Sequence, residues 1–242
     1  MRTAIVTGVS RGLGDALASA LLARGWEVVG IARTAPARPA AAAWRFLRCD
    51  LAQTASLAAT VRPAFEAIAA ERPAAVCLIN NAATAEQVGV LGSLEPADIA
   101  TSLAVNLVAP VVLSNLFCRV FDDDAADRRI VNVSSGAAQS TLPGDALYCV
   151  GKAGLEMLTR SLAAEHASAR FRAITVRPGI IDTPMQAFAR AQSKERLPSV
   201  DLFKGFHEGK QLVAPDVVAR KIVDRLVDAP VEHGRTYSYA EL

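Results

Sequence analysis

The feature that most constrains this chain is an apolar strand running straight into the glycine loop Thr7-Gly8-Val9-Ser10-Arg11-Gly12-Leu13-Gly14, which opens a helical pattern. Glycine lets the backbone turn sharply there, approach a ligand closely and bring the following helix against the sheet. The first N–H groups of that helix have no partners within it, so the place suits an anion. The same rhythm repeats along the chain. Ala4 to Val6, Glu27 to Ile31, Phe46 to Cys49, Val76 to Ile79, Ile130 to Val133 and Ala173 to Val176 are short apolar runs. Leu13 to Arg24, Ser56 to Ala70, Ile99 to Phe121 and Leu147 to His166 carry helical periodicity between them. Apolar strands separated by helices form a parallel sheet covered on both faces, wound by right-handed crossovers. The expected fold is therefore α/β: a single Rossmann-like doubly wound parallel sheet with helices on both faces, one domain over residues 1–242.

Composition narrows the partners. Hydrophobic residues are 52% and charged residues 21% of the chain, which is globular rather than disordered. The net charge is +2 with scattered basic residues, so neither nucleic acid nor an anionic membrane is expected as a partner. Cys49, Cys77, Cys118 and Cys149 lie far apart with no paired spacing, so neither a disulfide framework nor a metal site is expected. No run reaches the ~18 unbroken apolar residues of a membrane span, and a cleaved leader would remove the glycine loop. The expected location is cytoplasmic. Thr34 to Ala43, with Pro36 and Pro39, is expected as a surface loop. The segment 184–212 sets Met185, Phe188, Phe203 and Phe206 among charges and is expected to cover a substrate pocket.

A dinucleotide with a free ribose 2′-OH calls for an acid about 20 residues beyond the glycines, at the end of the second strand. That strand ends Gly30-Ile31-Ala32-Arg33, without an acid. Arg33 and Arg11 can instead grip a 2′-phosphate through charge-assisted hydrogen bonds, so NADPH/NADP+ is the expected cofactor.

Tyr148-Cys149-Val150-Gly151-Lys152 places a phenol and an ammonium four residues apart on one helix face. A phenol is a poor acid–base group at neutral pH until a nearby cation favours its ionised form, and Lys152 is expected to supply that cation. Val131-Asn132-Val133-Ser134-Ser135 ends a strand in two hydroxyls, which at the carboxyl edge of an open sheet face the ligand crevice. There a serine can stabilise a substrate oxygen as charge develops. Asn80-Asn81-Ala82-Ala83 ends another strand, and Asn106 sits within a long apolar helix, where it needs a partner. It is expected either as a satisfied core amide or as the holder of a water beside Lys152.

As an ordered series, TGVSRGLG, Cys49-Asp50-Leu51, Asn80 to Ala83, Val105-Asn106, NVSS, YCVGK and RPGIIDT (177–183) resembles the short-chain dehydrogenase/reductase family over nearly the whole chain. The resemblance implies Ser135, Tyr148 and Lys152 as the catalytic trio, with Asn106 joining through water. It implies cofactor contacts from Gly8, Ser10, Arg11, Gly12, Leu13, Gly14 and Arg33, with Asp50 and Leu51 near the adenine. Asn81, Ala82 and Ala83 would run along the cofactor, while Pro178, Gly179, Ile181, Thr183 and Met185 surround the nicotinamide, which Tyr148 and Lys152 also touch. Ala83 stands where the family usually has glycine. DTPMQ (182–186), SSGAA (134–138) and the arginine pair look like the sepiapterin reductase and benzil reductase branch. The expected activity is NADPH-dependent reduction of a ketone or vicinal dicarbonyl, with Tyr148 donating the proton. An NADP-dependent alcohol dehydrogenase, a 3-oxoacyl thioester reductase and a non-catalytic NADPH-binding redox sensor are the alternatives. The expected partners are a small carbonyl substrate and further copies of the chain, as homodimer or homotetramer.

Overall fold

The computed structural model describes residues 1–37, 41–122 and 125–242, so Pro39 in the expected surface loop lies outside the described residues. The strands are β1 (Arg2–Thr7), β2 (Glu27–Ala32), β3 (Trp44–Arg48), β4 (Ala75–Asn80), β5 (Asp127–Val133), β6 (Phe171–Arg177) and β7 (Thr236–Ser238). They form one sheet in the order β3-β2-β1-β4-β5-β6-β7, with every neighbouring pair parallel. The order turns back between β1 and β4, which opens a crevice at their carboxyl ends, where open sheets of this kind bind ligands.

Helices α1 (Gly12–Ala23), α2 (Thr54–Ala70), α3 (Pro96–Leu103), α4 (Ala109–Val120) and α5 (Ala146–Glu165) follow strands β1, β3, β4 and β5. Two apolar layers result. Leu13, Leu17 and Leu21, each four residues apart on α1, pack with Val218, Ile222 and Leu226 against one face of the sheet. Leu57, Val61 and Phe65 of α2 meet Leu113 and Phe117 of α4 on the other. Phe65, Leu113 and Phe117 are fully buried, each worth about 1.5–3 kcal/mol of transfer free energy.

Between α3 and α4 the chain continues as one turn of π-helix, Ala104–Val108. The whole helix from Pro96 to Val120 has a mean hydropathy of 1.7 in its most apolar window, and by length and composition could cross a membrane. This corrects the count of unbroken apolar residues, which Thr101, Ser102, Asn106 and Ser114 interrupt. In the fold Ala109, Leu113, Leu116 and Phe117 of this helix are buried against α2 and the sheet.

The segment 184–212 forms α6 (Pro184–Arg190) and α7 (Val200–Glu208), whose Ala189 and Val200 share a small apolar cluster with Val88 and Leu197. Among the elements not read from the sequence are α8 (Pro215–Ile222), which lies against α1, and the three-residue β7. His233 fastens β7's approach, its Nδ1 accepting from the Ala173 N–H at 3.0 Å and its Nε2 lying 3.0 Å from the His166 carbonyl.

Candidate active site

The glycine loop is shaped by contact. Gly8 has φ 75°, and a Cβ there would lie 2.8 Å from the Cα of Ala82. A Cβ on Gly14 would run into the Gly8 carbonyl, so α1 can begin this close to β1 only without a side chain at that position. Arg11 occupies the N-cap of α1 in extended conformation and makes no side-chain cap bond. The first-turn N–H groups of Gly12, Leu13 and Gly14 are thereby left to a ligand, which fits a dinucleotide pyrophosphate. Ser10 is exposed beside them.

On one side of the loop, Arg33 is exposed just past β2, and Asp50 and Leu51 follow β3, which the Cys49 N–H ties to the Ala32 carbonyl at 3.0 Å. Asp50 accepts from the Ala52 N–H at 3.0 Å and Leu51 is buried. On the other side Asn81 locks β4 to β1, its Nδ2 donating to the Thr7 carbonyl at 2.9 Å. The Asn81 and Ala82 N–H groups both reach the Thr7 hydroxyl at 3.0 Å. Ala83, Thr84, Arg11, Met185 and Phe188 line a cavity of about 150 Å³, with Glu86 opposite Arg11 at 3.7 Å. Pro178 to Thr183 close the crevice: Gly179 has φ 79°, Ile181 bridges to Val213, and Thr183 lies where a Cβ on Gly12 would meet it at 3.4 Å.

Beside this crevice the expected trio converges. Ser135 follows β5, with its Oγ accepting from the Ala137 N–H at 3.2 Å and hydrogen-bonded to the Tyr148 phenol. Lys152, one turn along α5 from Tyr148, puts Nζ 5.4 Å from the Tyr148 ring centroid and donates to the Val133 carbonyl at 2.8 Å. It is 2% exposed, and desolvation lowers its pKa to about 8. The expectation that Lys152 lowers the phenol is not met in this arrangement. Burial first, and then Asp145, raise the Tyr148 pKa above its ordinary value, and only the Ser135 hydrogen bond opposes them. The ammonium is turned toward the Val133 carbonyl rather than the phenol oxygen, which leaves burial in control.

The short chain dehydrogenase family model matches residues 2–194. The chain belongs to that family. Short-chain dehydrogenases are oxidoreductases of CH–OH and C=O groups that work with nicotinamide dinucleotides. Among curated relatives, a benzil reductase ((S)-benzoin forming) of Bacillus subtilis is 31% identical over 100% of this chain and 99% of its own. A sepiapterin reductase of Meriones unguiculatus is 35% identical over 79% of this chain and 78% of its own. Of solved structures, the KRED1-Pglu enzyme superposes with a TM-score of 0.82 at 25% identity, covering 98% of this chain and 100% of that one.

Within this short-chain dehydrogenase site, Asn106 lies in the π-helical turn with its amide fully used: Nδ2 donates to the Thr84 carbonyl at 2.8 Å and Oδ1 accepts from the Thr84 N–H at 2.8 Å. A Cβ on Gly151 would lie 2.7 Å from the Asn106 Cβ, so α5 passes directly over it. The side chain thus clamps the loop after β4 beneath the helix that carries Tyr148. Sequence reasoning missed a second clamp. Glu156 accepts two bonds from Arg177, both 2.7 Å, and a third from the Ser134 hydroxyl at 2.9 Å. The signal was available: Glu156 is four residues beyond Lys152 on one helix face, and Arg177 ends β6.

Proposed function

We propose that this short-chain dehydrogenase is an NADPH-dependent carbonyl reductase, acting on ketones or vicinal dicarbonyls, with Tyr148 as proton donor. The observation that carries the reading is the phenol of Tyr148 held by Ser135 and backed by buried Lys152 at the mouth of the crevice. A phenol raised above its ordinary pKa stays protonated through neutral pH, the state a donor to a carbonyl oxygen requires. Ser135 orients that oxygen and stabilises its developing charge. Lys152, buried one turn along α5 from Tyr148, would hold the cofactor ribose. Asn106 keeps the loop at Thr84 and helix α5 in register.

When bound, NADPH supplies the hydride. Gly8, Ser10, Arg11, Gly12, Leu13 and Gly14 would hold its phosphates, Arg33 and Arg11 its 2′-phosphate, and Asp50 with Leu51 its adenine. Asn81, Ala82, Ala83, Pro178, Gly179, Ile181, Thr183 and Met185 would flank the remainder. The exposed apolar side chains Val108 and Val111 on the α3–α4 helix and Val150 and Met157 on α5 support assembly as a homodimer or homotetramer. Four free cysteines are consistent with a cytoplasmic location.

The test is oxidation of NADPH, with NADH in parallel, against benzil, sepiapterin, aryl ketones and 3-oxoacyl thioesters. NADPH-linked turnover of a dicarbonyl is the expected result, and a preference for NADH would remove the arginine argument. Tyr148→Phe is expected to lower kcat about 10²–10⁴-fold while the far-UV circular dichroism is unchanged. Retention of most activity would remove Tyr148 from the proposed role.

A further inference from the structure

Asp145 is the N-cap residue of α5, yet its side chain makes no cap bond. It is 5% exposed, and no hydrogen bond or ion pair reaches its carboxylate from the described residues. Its oxygens are not sealed from solvent, unlike the orphaned oxygen of Asn80. An unpaired carboxylate in such a place is costly, and a protein retains one mainly where something else answers it. No cation among the described residues does so. Lys152 is two turns further along and bonded to Val133. Arg196, on the segment that packs against Gly144, is exposed and reaches toward the Val88 carbonyl at 3.5 Å.

Its location is at the meeting point of the segments around the crevice mouth. Gly144, its neighbour, accepts from the Gly89 N–H at 2.8 Å, on the loop that follows the cofactor strip at Asn81 to Ala83. Pro143 accepts from the Ser199 hydroxyl at 3.0 Å, at the start of α7. Along α5, Asp145 precedes Tyr148 by three residues, so their Cβ atoms are about 5–6 Å apart on one face. The carboxylate is close enough to raise the Tyr148 pKa, second only to burial among the causes. Desolvation alone pushes its own pKa up to about 7.

We propose that Asp145 is a substrate-recognising residue, selecting carbonyl compounds that carry an amine, preferably cationic, a few atoms from the reacting carbon. An ammonium there would answer the unpaired carboxylate and cancel its field at Tyr148. The apolar face of Phe188, which lines the adjoining cavity with Met185, would accommodate the rest of the molecule. The inference rests on the carbonyl-reductase reading of Tyr148.

The experiment compares α-aminoacetophenone with propiophenone, which has a methyl where the other has the amine. Wild-type enzyme is expected to favour the amine in kcat/KM by about 10–150-fold, the worth of a hydrogen bond to a charged group. Asp145→Leu is expected to reverse that ratio and Asp145→Asn to give an intermediate one. A wild-type ratio near one, or a ratio untouched by Asp145→Leu, overturns the proposal while leaving the reductase reading intact. Reduction of neither ketone nor any dicarbonyl overturns the reductase reading instead. In that event calorimetric binding of phenylethanolamine against phenylpropanol decides on Asp145. At least tenfold tighter binding of the amine, lost in Asp145→Leu, supports it, and equal binding overturns it.

Discussion

Two regions of helix α5 handle polar groups in opposite ways. Beneath its middle, a buried chain of side chains joins three strands and two helices. Asn80 Nδ2 donates to Asn132 Oδ1 at 2.8 Å and to Ser114 Oγ at 3.2 Å. Asn132 Nδ2 donates to Thr159 Oγ1 at 2.8 Å, which the Thr175 hydroxyl meets at 2.7 Å. Apart from the Asn80 oxygen, the chain is satisfied by protein. At the N-terminal end of the same helix, Asp145 is nearly as buried, and no hydrogen bond or ion pair from the described residues answers it. The middle of α5 is foundation, fixing where Lys152 and Tyr148 stand. Its first turn faces the crevice, where an unanswered group is an offer to a ligand.

The sharpest way to break that comparison is Asn132→Ala, which empties part of the core. It removes one partner each from Asn80, left with Ser114, and from Thr159, left with Thr175 and the Leu155 carbonyl. Each buried partner lost costs about 1–3 kcal/mol, and networks cost more than their pairs. Urea unfolding is therefore expected to show a loss of about 3–5 kcal/mol. Asp145→Asn is expected to move stability the other way, because it removes a charge that the folded state disfavours. The sign follows from the raised pKa. Between about pH 4 and pH 7 the folded carboxyl keeps a proton that the unfolded one has lost, so stability falls as pH rises through this window. Above pH 7 the full cost remains, roughly 2–4 kcal/mol for a shift of about three units. The variant should thus exceed wild type by that amount at pH 8 and match it near pH 4. Equal stability at both pH values would show that the Asp145 carboxylate finds a partner after all.

How far the sequence could foresee this division depends on what each part rests on. Strands β1 to β6 and the glycine loop were legible because apolar runs and glycines act locally. The three residues of β7 were not. Thr236, Tyr237 and Ser238 carry no apolar run, and they become a strand because His233 and the edge of β6 hold them from far away in sequence. Tyr148, Lys152 and Ser135 were legible as motif residues. Asp145 was not, because nothing in its neighbours Gly144 and Ala146 announces burial. Only the closing of Gly89 and Ser199 over that turn leaves its carboxylate mostly buried.

Glu156→Gln tests a foundation contact of intermediate weight. The pair with Arg177 is bidentate, with side chains 13% and 20% exposed, so a loss of about 1–3 kcal/mol is expected. Because Glu156 also holds Ser134 beside the Lys152 carbonyl, kcat should fall more than KM rises. A change confined to KM would mean that this clamp serves the ligand side of the crevice rather than the foundation.

The smallest expected effect lies at the rim, where Arg11 and Glu86 face each other at 3.7 Å with side chains 66% and 57% exposed. An exposed pair of that kind contributes about 0–1 kcal/mol, so Glu86→Ala should leave the unfolding midpoint where it is. Its effect belongs to the ligand side. Glu86 competes for the guanidinium that the 2′-phosphate would use, and its removal frees Arg11. The KM for NADPH is therefore expected to fall by up to about fivefold, within the 1 kcal/mol that such a pair can hold, with the KM for NADH unchanged. The difference should shrink as salt is raised, since exposed charges are screened. An equal change for both dinucleotides would place Arg11 on the shared pyrophosphate instead and leave Arg33 alone to discriminate between them.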